Sequence, residues 1–294
     1  MKPSLRFLQN AAKAIQPVPI LKPPSLTEFQ KSYFQPELPC AFPPSHFCDI
    51  PAISAWFKPH KLFPKTEKSI NIEFFGDILA EKGRWDVLVP LEFTEILDDE
   101  RQTFDRRYLP FNIFLQYLAG DNCSERSVIY LAQEQLLLNF PALGEYVPPP
   151  EYVKKAGKGD IYDVNIWMGF SGRTHTPLHK DPNPNLFVQL AGRKKIRLFP
   201  PEVGREMMNV YHRGGDISFR TGDEMMIGEH KDKINQVVWG NGLTHFEARG
   251  FEAEVRSGDG IFIPKGWWHA VNGIGGGVGN SVSVRFPTPR MTVS

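Results

Sequence analysis

Three side chains in this 294-residue sequence combine the types and the spacing that a metal ion needs: His179, Asp181 and His269. His179 and Asp181 lie two positions apart, and side chains at that spacing on a strand share one face of a sheet. His269 lies within Gly266-Trp-Trp-His-Ala270, shortly after the turn-forming Ser257-Gly-Asp-Gly260. Two imidazoles and one carboxylate on one face make the facial triad of non-haem ferrous iron, which leaves coordination positions open. A surface contact would also explain a His-x-Asp pair, so the interpretation depends on the surroundings.

Lys194 is the second feature that points to a ligand. It opens the run Lys194-Lys-Ile-Arg-Leu-Phe199, in which Lys194, Ile196 and Leu198 share one face of a strand. If that face is interior, the ammonium is buried, which is costly unless an anion pairs with it. The preceding apolar run 186–190 carries no acid, so the predicted partner is an anionic ligand. The alternative is a strand-end lysine whose ammonium extends to water.

The elements that must position these side chains are short strands in the C-terminal half. After Asp160, β-forming runs alternate with Gly, Pro, Asn and Asp, which is typical of an antiparallel barrel or sandwich. A polar insertion with few strand signals separates two groups of runs at 201–250. The barrel is therefore expected at about 160–286. The predicted strands are Val164–Phe170, Leu186–Leu190, Lys194–Phe199, Phe251–Val255, Gly260–Pro264, Trp267–Val271 and Ser281–Phe286.

The N-terminal half is predicted to mix helices and strands. Ser25-Leu-Thr-Glu28 has the pattern of a capping box and predicts a helix through about Tyr33. Pro110 favours the start of another helix that runs to about Leu118. Strands are expected at Ser69–Phe75 and Trp85–Phe93. Residues 25–294 are then expected to form one domain with an α/β N-terminal half.

Composition excludes several classes of protein. The 34 basic and 33 acidic side chains leave a net charge of +1, which argues against a protein that coats nucleic acid. Three scattered cysteines form neither a disulfide framework nor a structural zinc motif, so an intracellular compartment, cytoplasm or nucleus, is expected. No apolar run has the length of a membrane span, and no membrane partner is expected.

Residues 1–24 form a separate N-terminal segment in this interpretation. The segment contains basic residues and no acid, and a proline-rich connector occupies 17–24. A short amphipathic helix at 5–15 is similar to a mitochondrial targeting peptide, which would place the protein in the matrix. The alternative is an ordinary N-terminal helix that leads into the domain.

Three segments, taken together, closely resemble the JmjC oxygenases. They are Thr176-Pro-Leu-His-Lys-Asp181, Asn185–Lys194 and Gly258–His269, and they agree with that family in residue type, order and spacing. The similarity is strongest to the small hydroxylase branch, which includes the asparaginyl hydroxylase of hypoxia-inducible factor. The resemblance implies a mainly β fold, the double-stranded β-helix (a jelly-roll or cupin barrel) with flanking helices, and it implies Fe(II) and 2-oxoglutarate as cofactor and co-substrate.

The resemblance also implies roles for individual residues. The iron ligands would be His179, Asp181 and His269. The residues that bind 2-oxoglutarate would be Lys194, Thr176 and Tyr130 at its distal carboxylate, and Asn185 near its iron-bound end. One position departs from the family: Arg285 stands in the last strand where relatives often have a small polar residue such as Asn or Ser. Arg285 is expected either to bind the co-substrate near the iron or to be displaced by a shift of register.

The expected reaction is hydroxylation of a protein side chain with release of succinate and CO2, so the expected partner is a protein or peptide. Three alternatives remain. A demethylase of N-methyl-lysine in histones or other proteins would use the same chemistry, but no cysteine-rich zinc cluster accompanies the domain. An RNA-base hydroxylase is disfavoured by the near-neutral charge. A non-catalytic or zinc-bound cupin would bind ligands without turnover.

Two further histidines are weaker candidates. His245-Phe-Glu247 is another His-x-acid pair, but it lies in the insertion and is expected at the surface. His175 precedes Pro177 by two residues and is expected to support the site from outside or to contact solvent.

Overall fold

The structure is a computed structural model that describes residues 15–80, 83–99, 101–120, 124, 126–157, 164–211, 229–240, 246 and 249–287. Its strands are β1 (Gln16–Pro17), β2 (Cys40–Ala41), β3 (Phe57–Pro59), β4 (Lys68–Ile70), β5 (Leu88–Ile96), β6 (Gln102–Pro110), β7 (Ser127–Glu134), β8 (Asn165–Phe170), β9 (His175–Lys180), β10 (Asn185–Ala191), β11 (Arg193–Phe199), β12 (Phe251–Arg256), β13 (Gly260–Ile263), β14 (Trp268–Ile274) and β15 (Asn280–Pro287).

The helices lie mainly outside the C-terminal strands. They are α1 (Leu26–Phe29), which continues as a π-helix at Gln30–Phe34, then α2 (Ala52–Ala55), α3 (Ile72–Ala80), α4 (Phe111–Ala119), α5 (Leu136–Asn139), a 3₁₀ helix at Pro141–Tyr146, α6 (Glu151–Ala156), α7 (Pro201–Tyr211) and α8 (Glu229–Trp239). Among the described helices, none combines the length and hydrophobicity that a bilayer-crossing helix requires.

Two large sheets form the barrel. The five-stranded sheet has the order β1-β12-β11-β14-β9, and the eight-stranded sheet has the order β2-β13-β10-β15-β8-β7-β5-β6. From β8 to β11 and again from β12 to β15, successive strands alternate between the two sheets, which is the winding of a jelly roll. The fold is therefore the predicted cupin barrel, and the N-terminal strands β7, β5 and β6 extend one of its sheets.

Apolar side chains fill the barrel and both of its outer faces. Between the sheets, Phe187, Ile196 and Ile261 pack in one buried cluster. The outer face of the five-stranded sheet is covered by α7 and α8, where Trp268 packs with Val203. The outer face of the eight-stranded sheet is covered by the N-terminal half, whose core is rich in phenylalanine. Burial of both faces explains why many barrel strands are continuously apolar rather than alternating.

The chain turns at Gly192 as it passes from β10 in one sheet to β11 in the other. Its φ is +70°, and an added Cβ would lie 2.9 Å from the carbonyl oxygen of Asn280 and from the backbone of Ser281. Glycine is required here because a side chain would be both strained and crowded. The turn sets the register of β11 and so the direction in which Lys194 points.

Several predicted elements are confirmed and others are corrected. The Ser25 hydroxyl accepts the Glu28 N–H at 3.2 Å, as the capping box predicts. The prediction of a strand at Ser69–Phe75 is wrong beyond Ile70, because the chain turns into α3. The helix buries Phe75 and Leu79, which are one turn apart, and this helical spacing outweighs the strand-forming residues of the segment.

Strand and helix boundaries in the rest of the N-terminal half also shift. The strand expected at Trp85–Phe93 is observed at Leu88–Ile96. Pro110 ends β6 and precedes α4 as its N-cap residue rather than lying in its first turn. In the insertion, the described residues form α7 and α8.

Candidate metal centre

His179 and His269 face each other across two paired strands. They are direct partners in the antiparallel register of β9 and β14, and their ring centroids lie 4.1 Å apart. Asp181 follows β9 immediately, and its Oδ1 lies 3.7 Å from Nε2 of His179 while its Oδ2 lies 3.4 Å from Nε2 of His269. One ligand atom from each of the three residues lies within 4.8 Å of the others. The structure thus brings the three proposed ligands to one point.

Both imidazoles present Nε2 to this point because their Nδ1 atoms are engaged elsewhere. Nδ1 of His179 lies 2.8 Å from the Pro177 carbonyl oxygen, and Nδ1 of His269 lies 3.3 Å from that of Trp267. A carbonyl can only accept a hydrogen bond, so each Nδ1 carries the proton and each Nε2 keeps its lone pair. Nε2 of His269 is buried and makes no hydrogen bond of acceptable geometry with any described residue. A buried lone pair in this position fits a metal ligand.

The charges of the triad also suit a cation. Burial, His269 and Arg285 together lower the pKa of His179 to about 3, so the imidazole is neutral near pH 7. Burial by itself would raise the pKa of the Asp181 carboxyl, but His269 and Arg285 outweigh burial and hold that pKa well below its usual range. Two imidazoles and one carboxylate are the donor set of a non-haem iron site.

Two side chains hold the Asp181 carboxylate in place. Asn185 Nδ2 donates to Asp181 Oδ2 at 2.6 Å, and Arg285 Nη1 donates to the same oxygen at 3.1 Å. Asn185 therefore contacts a proposed iron ligand directly, although the family resemblance gives it a place beside the co-substrate. Arg285 points into the barrel, so the register of β15 is the one in which this residue faces the proposed metal ligands.

Lys194 lies on the inward face of β11, where the strand period predicts it. The residue is 1% exposed, and its Nζ lies 3.0 Å from Ser283 Oγ and 3.3 Å from Tyr130 Oη. Thr176 forms a side-chain hydrogen bond with Tyr130. Burial and, to a lesser extent, Arg285 lower the pKa of Lys194 to about 7. Among the described residues, none offers this ammonium a carboxylate partner.

Ser283 is a site residue that the sequence reasoning missed. It lies on β15 two positions before Arg285, so both side chains face the same side of the strand. The signal was present in the alternation Ser281-Val-Ser-Val-Arg285, where polar residues recur every second position in a strand that is buried on both faces. The two-residue repeat of a β-strand would have placed Ser283 on the same face as Arg285, beside the proposed co-substrate site.

The remaining histidine candidates lie elsewhere. His175 is on the outward side of β9, where its Nδ1 contacts Asn272 and its Nε2 lies 3.1 Å from Asn235 of α8. It therefore ties a covering helix to the barrel rather than joining the triad. His245 and Glu247 lie outside the described residues.

The site is open on one side. The side chain of His269 is completely buried, whereas those of His179 and Asp181 are 27% and 19% exposed. Solvent and small molecules can therefore approach the triad past His179, while the opposite side is closed by packed side chains.

Comparison with known proteins supports the fold. A family model described as a cupin-like domain matches residues 27–286. The chain is 28% identical over 269 residues to JmjC domain-containing protein D of Dictyostelium discoideum, which covers 87% of this chain and 53% of that protein. It is 28% identical over 262 residues to lysine-specific demethylase 8 of Danio rerio, with 87% and 55% covered.

A third relative has a different activity in its name. The chain is 24% identical over 277 residues to the human bifunctional peptidase and (3S)-lysyl hydroxylase JMJD7, with 86% of this chain and 79% of that protein covered. By contrast, the chain spans only about half the length of the first two relatives.

Proposed function

The chain belongs to the cupin-like JmjC family, whose enzymes use Fe(II) and 2-oxoglutarate, and we propose that it is an oxygenase that hydroxylates a protein side chain. One observation carries the proposal: a His-Asp-His triad and a buried ammonium without a carboxylate partner among the described residues both face the interior of the barrel. The first would hold iron and the second would hold an acidic co-substrate. Apolar side chains in the same positions would stabilise the barrel better, so the triad and the buried ammonium indicate a function rather than a structural role.

His179, Asp181 and His269 would hold the metal, and Lys194 would bind the distal carboxylate of 2-oxoglutarate. The cofactor pair supplies the oxidation when bound: the co-substrate loses CO2 to become succinate while one oxygen atom of O2 enters the target. The chain's own contribution is to hold three donors on one side of the ion so that other positions stay open.

On binding, the distal carboxylate of 2-oxoglutarate would exchange its bound water for contacts with three side chains of the protein. Lys194 supplies the positive charge, and the hydroxyls of Tyr130 and Thr176 supply hydrogen bonds near it. Charge-assisted hydrogen bonds in a buried site are stronger than neutral ones. Ser283 is already bonded to the ammonium and would keep it oriented toward the ligand.

A protein substrate is supported by the relatives, whose names include a lysyl hydroxylase and a lysine demethylase. The exposed edge of the triad, at His179 and Asp181, is the side from which a side chain of the substrate would approach. Demethylation of N-methyl-lysine is the second candidate, supported by the name of the zebrafish relative. Hydroxylation and demethylation would use the same metal and co-substrate site, so the identity of the substrate determines which reaction occurs.

The test is turnover followed by product analysis. Purified protein with Fe(II), ascorbate and 2-oxoglutarate is expected to form succinate above the level of the His179→Ala variant. Mass spectrometry of peptides incubated with the enzyme then separates the two reactions, because hydroxylation adds one oxygen atom and demethylation removes one CH2 unit. Modification of an RNA nucleoside would overturn the protein substrate, and absence of both metal and 2-oxoglutarate binding would leave a non-catalytic cupin.

A further inference from the structure

Arg285 is a buried cation with part of its hydrogen-bonding capacity unused. The residue is 4% exposed, and its guanidinium carbon lies 4.2 Å from the ring centroid of Trp167. Nη1 donates to Asp181, but Nε is buried and has no hydrogen-bond partner among the described residues. Stacking on Trp167 fixes the plane of the guanidinium, so its unused donor is held rather than free to swing to water.

The described residues of the barrel interior around Arg285 carry excess positive charge. Cζ of Arg285 and Nζ of Lys194 each lie 5.9 Å from the ring centroid of Phe187. The two cationic groups are therefore separated by no more than twice that distance. Asp181 is the carboxylate that Arg285 contacts, and the same carboxylate is a proposed metal ligand. A bound divalent cation would add further positive charge. Two buried cations and a metal ion facing one carboxylate call for an anion with more than one negative group.

We propose that Arg285 is a second cationic anchor for 2-oxoglutarate. Arg285 binds the carboxylate next to the ketone, and Lys194 binds the distal carboxylate. The inference rests on the proposed function and extends it to the way the co-substrate is recognised. Asn185, the residue that the resemblance assigns to the iron-bound end of the co-substrate, is occupied by Asp181 instead. Arg285 supplies the missing donor at that end, and its charge suits a carboxylate better than an amide does.

The chemistry of the two ends makes the proposal testable with fragments of the co-substrate. 2-Oxobutanoate keeps the keto acid and lacks the distal carboxylate, so it should depend on Arg285 and be indifferent to Lys194. 2-Oxoglutarate should depend on both residues. Binding is measured by isothermal titration of the full chain saturated with Mn(II), so that no turnover occurs and metal occupancy is constant.

Two variants of Arg285 separate charge from positioning. Arg285→Gln keeps a neutral donor for Asp181 and removes the charge, whereas Arg285→Lys keeps the charge. Arg285→Gln is expected to weaken both keto acids by about tenfold or more, and Arg285→Lys by only a few-fold. Lys194→Met is the matched control: it should weaken 2-oxoglutarate by about tenfold or more and leave 2-oxobutanoate within about twofold.

The outcomes distinguish this inference from the proposed function. If wild-type protein with Mn(II) does not bind 2-oxoglutarate, the proposed function itself fails. If wild-type protein binds it and Arg285→Gln binds both keto acids as tightly, Arg285 serves only Asp181 and the inference is wrong. Circular dichroism and the metal titration show whether each variant is folded and loaded, and Arg285→Lys still tests the inference if Arg285→Gln does not fold.

Discussion

The ammonium of Lys194 lies 3.0 Å from the hydroxyl of Ser283, and this contact joins the two sheets of the barrel, since Lys194 is on β11 and Ser283 is on β15. A hydroxyl can solvate a buried ammonium but cannot neutralise it. Below its lowered pKa of about 7, Lys194 therefore holds a buried positive charge that no carboxylate among the described residues neutralises.

Replacement of Lys194 should separate stability from co-substrate binding. Lys194→Met removes a buried charge that has no carboxylate partner in the part of the chain that the structure describes, so the melting temperature without ligand should stay equal or rise. The same variant should lose the rise in melting temperature that 2-oxoglutarate produces in the wild type. Lys195→Met, on the opposite face and 3.3 Å from Glu252, is the control and should keep that rise. A full ligand-induced rise in Lys194→Met would contradict the role given to Lys194.

Affinity for 2-oxoglutarate should fall as the pH rises. The pKa of Lys194 is lowered to about 7, so the ammonium that the dicarboxylate needs is lost above that pH in the free protein. The dissociation constant should rise by at most about tenfold per pH unit above pH 7, and titrations in buffers of different ionisation enthalpy should show proton uptake. In Lys194→Met the pH dependence above 7 should flatten; an unchanged slope in that variant would assign the titration to another group.

The lowered pKa of Lys194 also predicts how the stability of the ligand-free protein changes with pH. The unfolded chain keeps the Lys194 proton up to its ordinary pKa of 10.5, whereas the folded protein releases it near 7. The unfolded state binds more protons between these values, so this group makes the free energy of unfolding rise with pH across that window. Comparison of urea midpoints for wild type and Lys194→Met at pH 7 and pH 9 isolates its contribution, which should be absent from the variant.

Metal binding should depend on His179 and not on His175. His179 is partly exposed, so His179→Ala removes a proposed ligand with little effect on packing, whereas a change at the fully buried His269 would also leave a cavity. His179→Ala should bind Mn(II) more weakly than the wild type by about a hundredfold or more. His175→Ala removes a histidine from the outer side of the same strand and should retain metal. Equal affinity in wild type and His179→Ala would exclude His179 as a ligand.

Asn185 should affect metal affinity through Asp181. Its amide is 2.6 Å from Oδ2 of that carboxylate, and loss of a hydrogen bond to a metal ligand typically costs 10- to 100-fold in affinity. Asn185→Ala is therefore expected to weaken Mn(II) binding by about tenfold while the barrel stays folded. The measurement is a Mn(II) titration followed by electron paramagnetic resonance. If Asn185→Ala changes only the affinity for 2-oxoglutarate, the amide serves the co-substrate as the family resemblance implies.

Gly192 should be intolerant of a side chain. Gly192→Ala places a Cβ against the backbone of β15 at a positive φ, so the free energy of unfolding should fall by about 1–3 kcal/mol. Gly276→Ala is the matched control, because a Cβ there meets nothing within 4 Å. Urea denaturation of the two variants tests the difference. Equal stability of both would mean that the turn at Gly192 adjusts without strain.

The barrel was predictable because its strands are short, apolar and separated by turn residues. The same period placed Lys194 inside, since Ile196 and Leu198 mark the buried face. The helix α3 was not predictable from composition, because Ser69–Phe75 contains strand-forming residues and only the packing of Phe75 and Leu79 favours a helix. Tertiary contacts outweighed local propensity at that point.

The residues of the candidate site were easier to predict from the sequence than the hydrogen bonds between them. The choice of His179, Asp181 and His269 followed from type and spacing, but the partner of Asn185 depends on how the chain turns between β9 and β10. The direction of Arg285 depends on the register of β15 against β8 and β10, which is set by contacts distant in the sequence. Such relationships appear only when both sheets are in place.

The distribution of the site's side chains over the two sheets has a consequence for how ligands act on the barrel. The imidazoles and Lys194 belong to the five-stranded sheet, whereas Tyr130, Ser283 and Arg285 belong to the eight-stranded one. Asn185 and Arg285, which hold the Asp181 carboxylate, also lie on the eight-stranded sheet, so separation of the sheets would disturb the proposed metal ligands as well as the contacts of Lys194. An ion and an anion bound at these residues would therefore cross-link the two sheets.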